Sequence, residues 1–215
     1  MERTAAAKVK IRSVVFDFGN VICFPPSQEK IERAAADAKL PVDEFLRALW
    51  KDRLPYDAGV SPRDYWRGVA AHASTEFDDV LIERLVRHEV GFWNTFDDRV
   101  LAWMEQLRDA GYTIGILSNL PNPVANGLRE TPGFMERFDH VTFSCELHLF
   151  KPQPAIYQHS FKGLNVAPEE TLFIDDRQEN VDGARAAGMN AELFTLWEEF
   201  SADVPAKYEL PQPTR

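Results

Sequence analysis

Apolar positions follow two different spacings along the chain. Near its start, Val14-Val15-Phe16 runs directly into Asp17, a Gly19-Asn20 pair follows, and apolar character returns at Val21-Ile22. β-Branched and aromatic residues bounded by turn residues predict a short buried strand over 11–18, with Asp17 at its end. From Phe24 to about Phe96 the spacing becomes helical, and Phe24-Pro25-Pro26 marks the crossing because paired prolines stop regular structure. One helix is expected over 27–40, ahead of Pro41, and a second over 43–51 with Phe45, Leu46, Leu49 and Trp50 on one face. Ser61-Pro62-Arg63-Asp64 is the strongest helix start, with a serine N-cap, proline at the first helical position and an acid at the third. Val80, Leu81, Leu85 and Val86 define a further helix over 78–90. About four helices are therefore inserted after the first strand.

From Asp97 onward strands and helices alternate. A helix over 98–110 stops at Gly111, and a strand over 112–117 ends in Ser118-Asn119. A helix over 122–130 precedes a strand at 141–143, and Lys151-Pro152 opens a loop before a helix over 155–162. A strand over 171–174 ends in Asp175-Asp176, a helix over 179–187 stops at Gly188, and a last strand covers 191–195. This alternation predicts an α/β core, residues 11–23 and 97–200, built on a mostly parallel sheet with right-handed crossovers. Residues 24–96 form the helical insert, and residues 1–10 and 201–215 are expected as loosely packed arms.

With 215 residues, 45% of them hydrophobic, the chain suits one large domain or a domain with an insert. It has no apolar stretch long enough for a transmembrane helix and no apolar signal segment near Met1, so no membrane partner is expected. The two cysteines, Cys23 and Cys145, form no disulfide framework or zinc pattern and read as reduced thiols of a cytoplasmic protein. A net charge of −10 argues against nucleic-acid binding and leaves an anionic substrate to be captured by local positive potential. A monomer and a homodimer are both compatible with these features.

In parallel sheets ligands bind at the carboxyl ends of the strands. There the fold would gather Asp17, Ser118-Asn119, Lys151 and Asp175-Asp176. Three neighbouring carboxylates repel unless some are protonated or a cation sits among them, and all-oxygen ligands suit Mg²⁺. Ser118, Asn119 and Lys151 donate hydrogen bonds, which makes a pocket for a tetrahedral anion. A carboxylate beside Mg²⁺ can attack phosphorus, so the residues suggest Mg²⁺-dependent phosphoryl transfer. Each motif alone has an ordinary reading, as a turn, a loop, a solvated lysine or a helix start. Only their conjunction at strand ends is specific.

That conjunction resembles the haloacid dehalogenase (HAD) superfamily over residues 11 to 200. VVFDFGNVI is similar to its first motif, ILSN to its second, FKPQPAIY to its third and FIDDRQENVDGA to its fourth. Within the superfamily, FDFGNV resembles α-glucose-1-phosphate phosphatase-like proteins and the N-terminal domain of soluble epoxide hydrolases. The resemblance implies a Rossmann-like core with a C1-type helical cap that closes over the site. It implies Asp17 as nucleophile and Mg²⁺ ligand, the Gly19 carbonyl and Asp176 as further ligands, and Asp175 as a direct or indirect partner of the metal. Phe18, Ser118, Asn119 and Lys151 are the implied phosphate-binding residues, and a small phosphorylated metabolite, in particular a sugar phosphate, is the implied substrate.

Two positions depart from the family pattern. Most family phosphatases carry a second Asp two residues after the nucleophile as general acid and base, where this chain has Gly19. His148 stands where relatives often have glycine. Proton transfer is left to a water, His148, a cap residue or no group at all. A weakly active or non-catalytic binding protein and a haloacid dehalogenase are the alternatives. Trp50, Tyr56, Tyr65, Trp66 and Trp93 are either cap core or pocket lining.

Overall fold

The strands are short, and all five pair in parallel in the order β3-β2-β1-β4-β5. They are β1 (Ser13–Phe16), β2 (Thr113–Ser118), β3 (His140–Phe143), β4 (Thr171–Asp175) and β5 (Asn190–Leu193). The computed structural model describes residues 10–214. The expected arm at 1–10 therefore lies, apart from Lys10, outside the described residues. β1 is buried along its whole length because its alternating side chains feed two cores. Val14 and Phe16 enter one, and Val15 enters the other.

The helical insert contains α1 (Gln28–Asp37), α2 (Val42–Lys51), α3 (Arg53–Asp57), α4 (Pro62–His72) and α5 (Asp79–Phe92). Ser27, Ser61 and Asp78 cap α1, α4 and α5, each side chain accepting from a backbone N–H three residues on. These helices bury an apolar cluster of their own around Phe45, Trp66, Val69 and Leu85. Periodicity predicted four of them. The five-residue α3 is too short to show a period, and it is the element that reaches the candidate site. The chain enters and leaves this block through two linkers lying side by side. Phe24 N donates to Thr95 O at 2.9 Å, Asp97 N donates to Ile22 O at 2.8 Å, and Cys23 pairs antiparallel with Phe96.

In the remainder, α6 (Asp98–Asp109) and α7 (Asn122–Glu130) cover one sheet face. The short α8 (Ser144–Leu147) follows β3, while α9 (Pro154–Gly163) and α10 (Gln178–Ala186) cover the other face. The tail corrects an expectation. α11 (Trp197–Lys207) runs from the expected end of the core into the expected arm, so residues 201–207 are helical, with Phe200 and Val204 buried. The reason is an aromatic shelf. Trp103 packs edge-on against Trp197 and Phe200, with centroids 6.3 and 5.6 Å away, and its Nε1 donates to Pro211 O at 2.9 Å. Prolines and charges around Phe200 and Val204 hide that i,i+4 pair from a composition-based reading. Cys23 and Cys145 are free and buried. Among the described residues no helix is long and apolar enough to cross a membrane.

Candidate active site

The sheet register sets the site. Phe16 pairs with Ile116 of β2 and Ile174 of β4, so the chain leaves β1 at Asp17 level with the ends of both neighbours. Asp17 N donates to Ile174 O at 2.8 Å, which brings the Asp17 and Asp175 carboxylates together at the carboxyl edge of the sheet. Between them lies Lys151, which is 3% exposed. Its Nζ donates to Asp17 Oδ1 at 2.8 Å, Asp175 Oδ2 at 2.6 Å and Leu117 O at 3.1 Å. An ammonium has three donors, and all three are used. Burial pushes the Lys151 pKa down, but Asp17 and Asp175 more than reverse this and hold it above the ordinary value. Asp17 is pushed up to about 7, chiefly by burial. Lys151 opposes that shift, and Asp175 and then Asp176 add to it.

Asp175 is fully buried and saturated with donors. Besides Lys151 it accepts from Arg177 N at 2.8 Å and from Asn180 Nδ2 at 3.0 and 3.1 Å. Asp176 is half-buried and accepts from Asn20 Nδ2 at 2.8 Å, and its pKa is raised, mainly by burial. Asn20 holds a left-handed φ of 61°, a conformation asparagine tolerates better than most residues. Asp17, Asp175 and Asp176 each place an oxygen within 4.8 Å of the others. Hard oxygens converging at that spacing fit a divalent cation such as Mg²⁺. Since Asp175 is already occupied by protein donors, Asp17 and Asp176 carry the available lone pairs.

Two implied phosphate contacts have other partners. The Phe18 N–H donates to Asp17 Oδ1 at 2.7 Å, and its ring is buried among Trp93, Phe96 and Phe134. Asn119 clamps the Lys151 backbone, its Oδ1 accepting from Lys151 N at 2.8 Å and its Nδ2 donating to Lys151 O at 3.0 Å. Asn119 therefore positions the lysine, and it also lines the cleft, as expected. Ser118 ends β2, is buried, and lines a cleft of about 590 Å³ with Asp17, Gly19, Lys151 and Asp176. His148 is not part of the cleft lining. It adopts a left-handed φ of 54°, and its Nδ1 lies 2.8 Å from Ala58 O, where it pins the loop after α3 to the core.

The insert supplies the opposite wall, through Trp50, Arg53, Leu54, Asp57 and Trp93. Of the five aromatics in question, Tyr56, Tyr65 and Trp66 are buried, whereas Trp50 and Trp93 reach the cleft. Beneath this wall is a charged cluster that the sequence reading missed. Arg53 Nε donates to Asp57 Oδ1 at 2.8 Å, Arg53 Nη1 donates to Glu89 Oε1, and Tyr56 OH donates to Glu89 Oε2 at 2.8 Å. Arg53 also sits 5.4 Å from the ring centroids of both Trp50 and Tyr56. Two signals were available. Arg53 and Asp57 are an i,i+4 pair, and Glu89 falls on the same face of α5 as Ile82, Leu85 and Phe92.

Trp93 also constrains Gly19. A Cβ on Gly19 would lie 3.2 Å from Trp93 Cζ3, closer than side chains normally pack. Gly19→Asp should therefore cost about 1–3 kcal/mol. Adding Trp93→Phe in the same chain should return part of that loss. Urea unfolding of both variants measures this, and a Gly19→Asp chain as stable as the parent would contradict it.

The haloacid dehalogenase-like hydrolase profile matches residues 11–188. The chain belongs to this family. Among its curated relatives is a D-ribitol-5-phosphate phosphatase of Bacteroides thetaiotaomicron, 28% identical over 83% of this chain and 89% of that protein. Another is (S)-2-haloacid dehalogenase 4A of Burkholderia cepacia, 32% identical over 68% of each chain. The chain spans less than half of some relatives, 47% of a sesquiterpene phosphatase of Aspergillus oryzae for example. Among solved structures, a HAD family enzyme from Bacteroides thetaiotaomicron in complex with magnesium and inorganic phosphate superposes with a TM-score of 0.70. That match is 21% identical and covers 88% of this chain and 98% of the other. It shows the shared fold of this HAD-like hydrolase, an α/β Rossmann-like sheet flanked by helices.

Proposed function

We propose that this HAD-like hydrolase is a Mg²⁺-dependent phosphatase acting on a small phosphorylated metabolite, with a sugar or polyol phosphate as the favoured class. One observation carries the reading. Three carboxylates converge within 4.8 Å at the sheet edge, and a buried lysine is tied to two of them. Asp17, the Gly19 carbonyl and Asp176 would hold the ion, with Asp175 behind them. When bound, the ion offsets the negative charge of the carboxylates and of the phosphoryl oxygens.

The protein groups divide the remaining work. Asp17 attacks phosphorus, the ester bond to the leaving group breaks, and an aspartyl-phosphate forms on Asp17. Ser118 donates to the phosphoryl oxygens. Lys151 holds Asp17 in line and offsets its charge. Water then attacks the aspartyl-phosphate, releasing phosphate and restoring Asp17. The phosphatase relative supports this choice. The dehalogenase relative defines the rival reaction on the same carboxylate.

Phosphate release from 4-nitrophenyl phosphate should need Mg²⁺ and stop with EDTA. Metal-independent release, or halide release from 2-chloropropionate in EDTA, would overturn the reading. The ion should also stabilise the fold. Mg²⁺ at about 100 times its Kd should add about 2.7 kcal/mol, seen as a higher Tm than in EDTA. Asp176→Asn should remove most of that shift, and an unchanged shift would place the ion elsewhere.

A further inference from the structure

Gly19 has no side chain, so the leaving-group oxygen must take its proton from another group. Resting on the phosphatase reading above, we propose that Asp57 of the helical insert is the general acid and base of this reaction, supplied from the opposite wall of the cleft. Asp57 ends α3 and lines the cleft shared by Asp17, Gly19, Ser118 and Lys151. Its backbone is also tied directly to the core. Ser144 Oγ donates to Asp57 O at 2.5 Å, and His148 Nδ1 is 2.8 Å from the next carbonyl, that of Ala58. Arg53 Nε holds Oδ1 at 2.8 Å, and among the described residues Oδ2 accepts no hydrogen bond. One carboxyl oxygen is thus anchored while the other is available.

The other titratable groups nearby are committed or misplaced. Asp175 is saturated by protein donors, and Lys151 uses all three of its protons. Both Glu89 oxygens are taken by Arg53 and Tyr56, and Glu89 is fully buried. Glu179 lies at the solvent rim, paired with Arg177. Asp57 is buried and faces Arg53 on its own helix, Glu89 of α5, Tyr65 of α4, Cys145 of α8 and Lys151. Burial pushes it up to about 6, with Glu89 adding to the shift and Arg53 and Lys151 opposing it. A group that exchanges its proton near neutrality serves both directions of transfer.

The steps balance. Asp17 attacks phosphorus, the P–O bond to the leaving group breaks, and protonated Asp57 gives its proton to the departing oxygen, releasing an alcohol. Asp57, now a carboxylate, takes a proton from water as that water attacks the aspartyl-phosphate. The P–O bond to Asp17 breaks, phosphate leaves and Asp57 is protonated again.

Asp57→Asn separates this role from packing. The Asn can still accept from Arg53, and the buried Arg53–Glu89 pair keeps its charge balance. kcat/KM reports the step that expels the leaving group, so it is measured for phenyl phosphate and 2,4-dinitrophenyl phosphate. In the variant it should fall by about 100-fold or more for phenyl phosphate, whose leaving group needs a proton, and by less than about 5-fold for the dinitrophenyl ester, whose leaving group does not. Equal losses on both esters, or no loss on either, would overturn the assignment. A second measurement uses the unaltered enzyme. The descending limb of kcat/KM for phenyl phosphate, centred near pH 6, should be missing for 2,4-dinitrophenyl phosphate. Identical pH profiles would likewise overturn it. Failure here is distinct from failure of the phosphatase reading, which would show as activity that survives Asp17→Asn or EDTA.

Discussion

Asp17→Asn should abolish phosphatase turnover, by about 10⁴-fold or more, while making the metal-free protein more stable. The two effects share one cause. In the apo site three carboxylates, Asp17, Asp175 and Asp176, face a single ammonium from Lys151. Asp17 is the carboxylate whose charge burial opposes most visibly, its pKa lying near 7 where an exposed aspartate has 3.8. Asparagine keeps the shape and an acceptor for Lys151 but removes one negative charge, together with the proposed nucleophile. The gain should be at most about 4 kcal/mol, and its pH dependence has a definite sign. Below about pH 4 the parent carboxyl is protonated whether folded or unfolded, so the variant gains nothing. As pH rises the unfolded chain releases that proton first, and the penalty on the parent is complete above about pH 7. Urea unfolding in EDTA at pH 4 and pH 8 tests this. Equal stabilities at pH 8 would refute it.

Lys151→Met should have the opposite effect on stability and a similar effect on activity. Methionine fills much of the lysine stem but leaves Asp17 Oδ1, Asp175 Oδ2 and Leu117 O without their shared donor. Removing one partner of a buried ionic cluster costs about 3–5 kcal/mol, because the remaining charges stay desolvated. Turnover should disappear with the charge that positions Asp17. The double variant Asp17→Asn/Lys151→Met should be more stable than Lys151→Met alone, since it has one fewer uncompensated carboxylate. A double variant whose stability is the simple sum of the Asp17→Asn gain and the Lys151→Met loss would mean that the two side chains do not interact energetically.

The sheet and the cluster at its carboxyl edge were legible in the sequence because their signals are local. β1 reads as a strand from Val14-Val15-Phe16, and Asp17, Ser118 and Asp175 each close an apolar run. Parallel pairing then brings those ends together without further information. What could not be read was which donor meets which acceptor. Asn119 faces the Lys151 backbone and the Phe18 amide faces Asp17, choices set by loop geometry a few ångströms across. α11 was hidden because the Trp103 shelf that buries Phe200 lies about a hundred positions away in sequence. The Arg53–Asp57–Glu89 cluster was missed for a related reason. Glu89 looks like a surface charge until its face of α5 is seen to be the buried one.

The paired linkers at Cys23 and Phe96 bear on how such a molecule diversifies. Their contacts run through backbone atoms, Phe24 N to Thr95 O and Asp97 N to Ile22 O, so the junction places few demands on side-chain identity. Entry and exit lie next to each other, and the segment between them buries its own apolar cluster. The helical block is therefore a cassette. Away from Asp57 it can drift in sequence or lengthen while the strands of the core, and with them the loops that carry Asp17 and Lys151, keep their register. Selection on what enters the cleft can then act on one continuous stretch of the gene, within which Asp57 is the position tied to the chemistry of the rest.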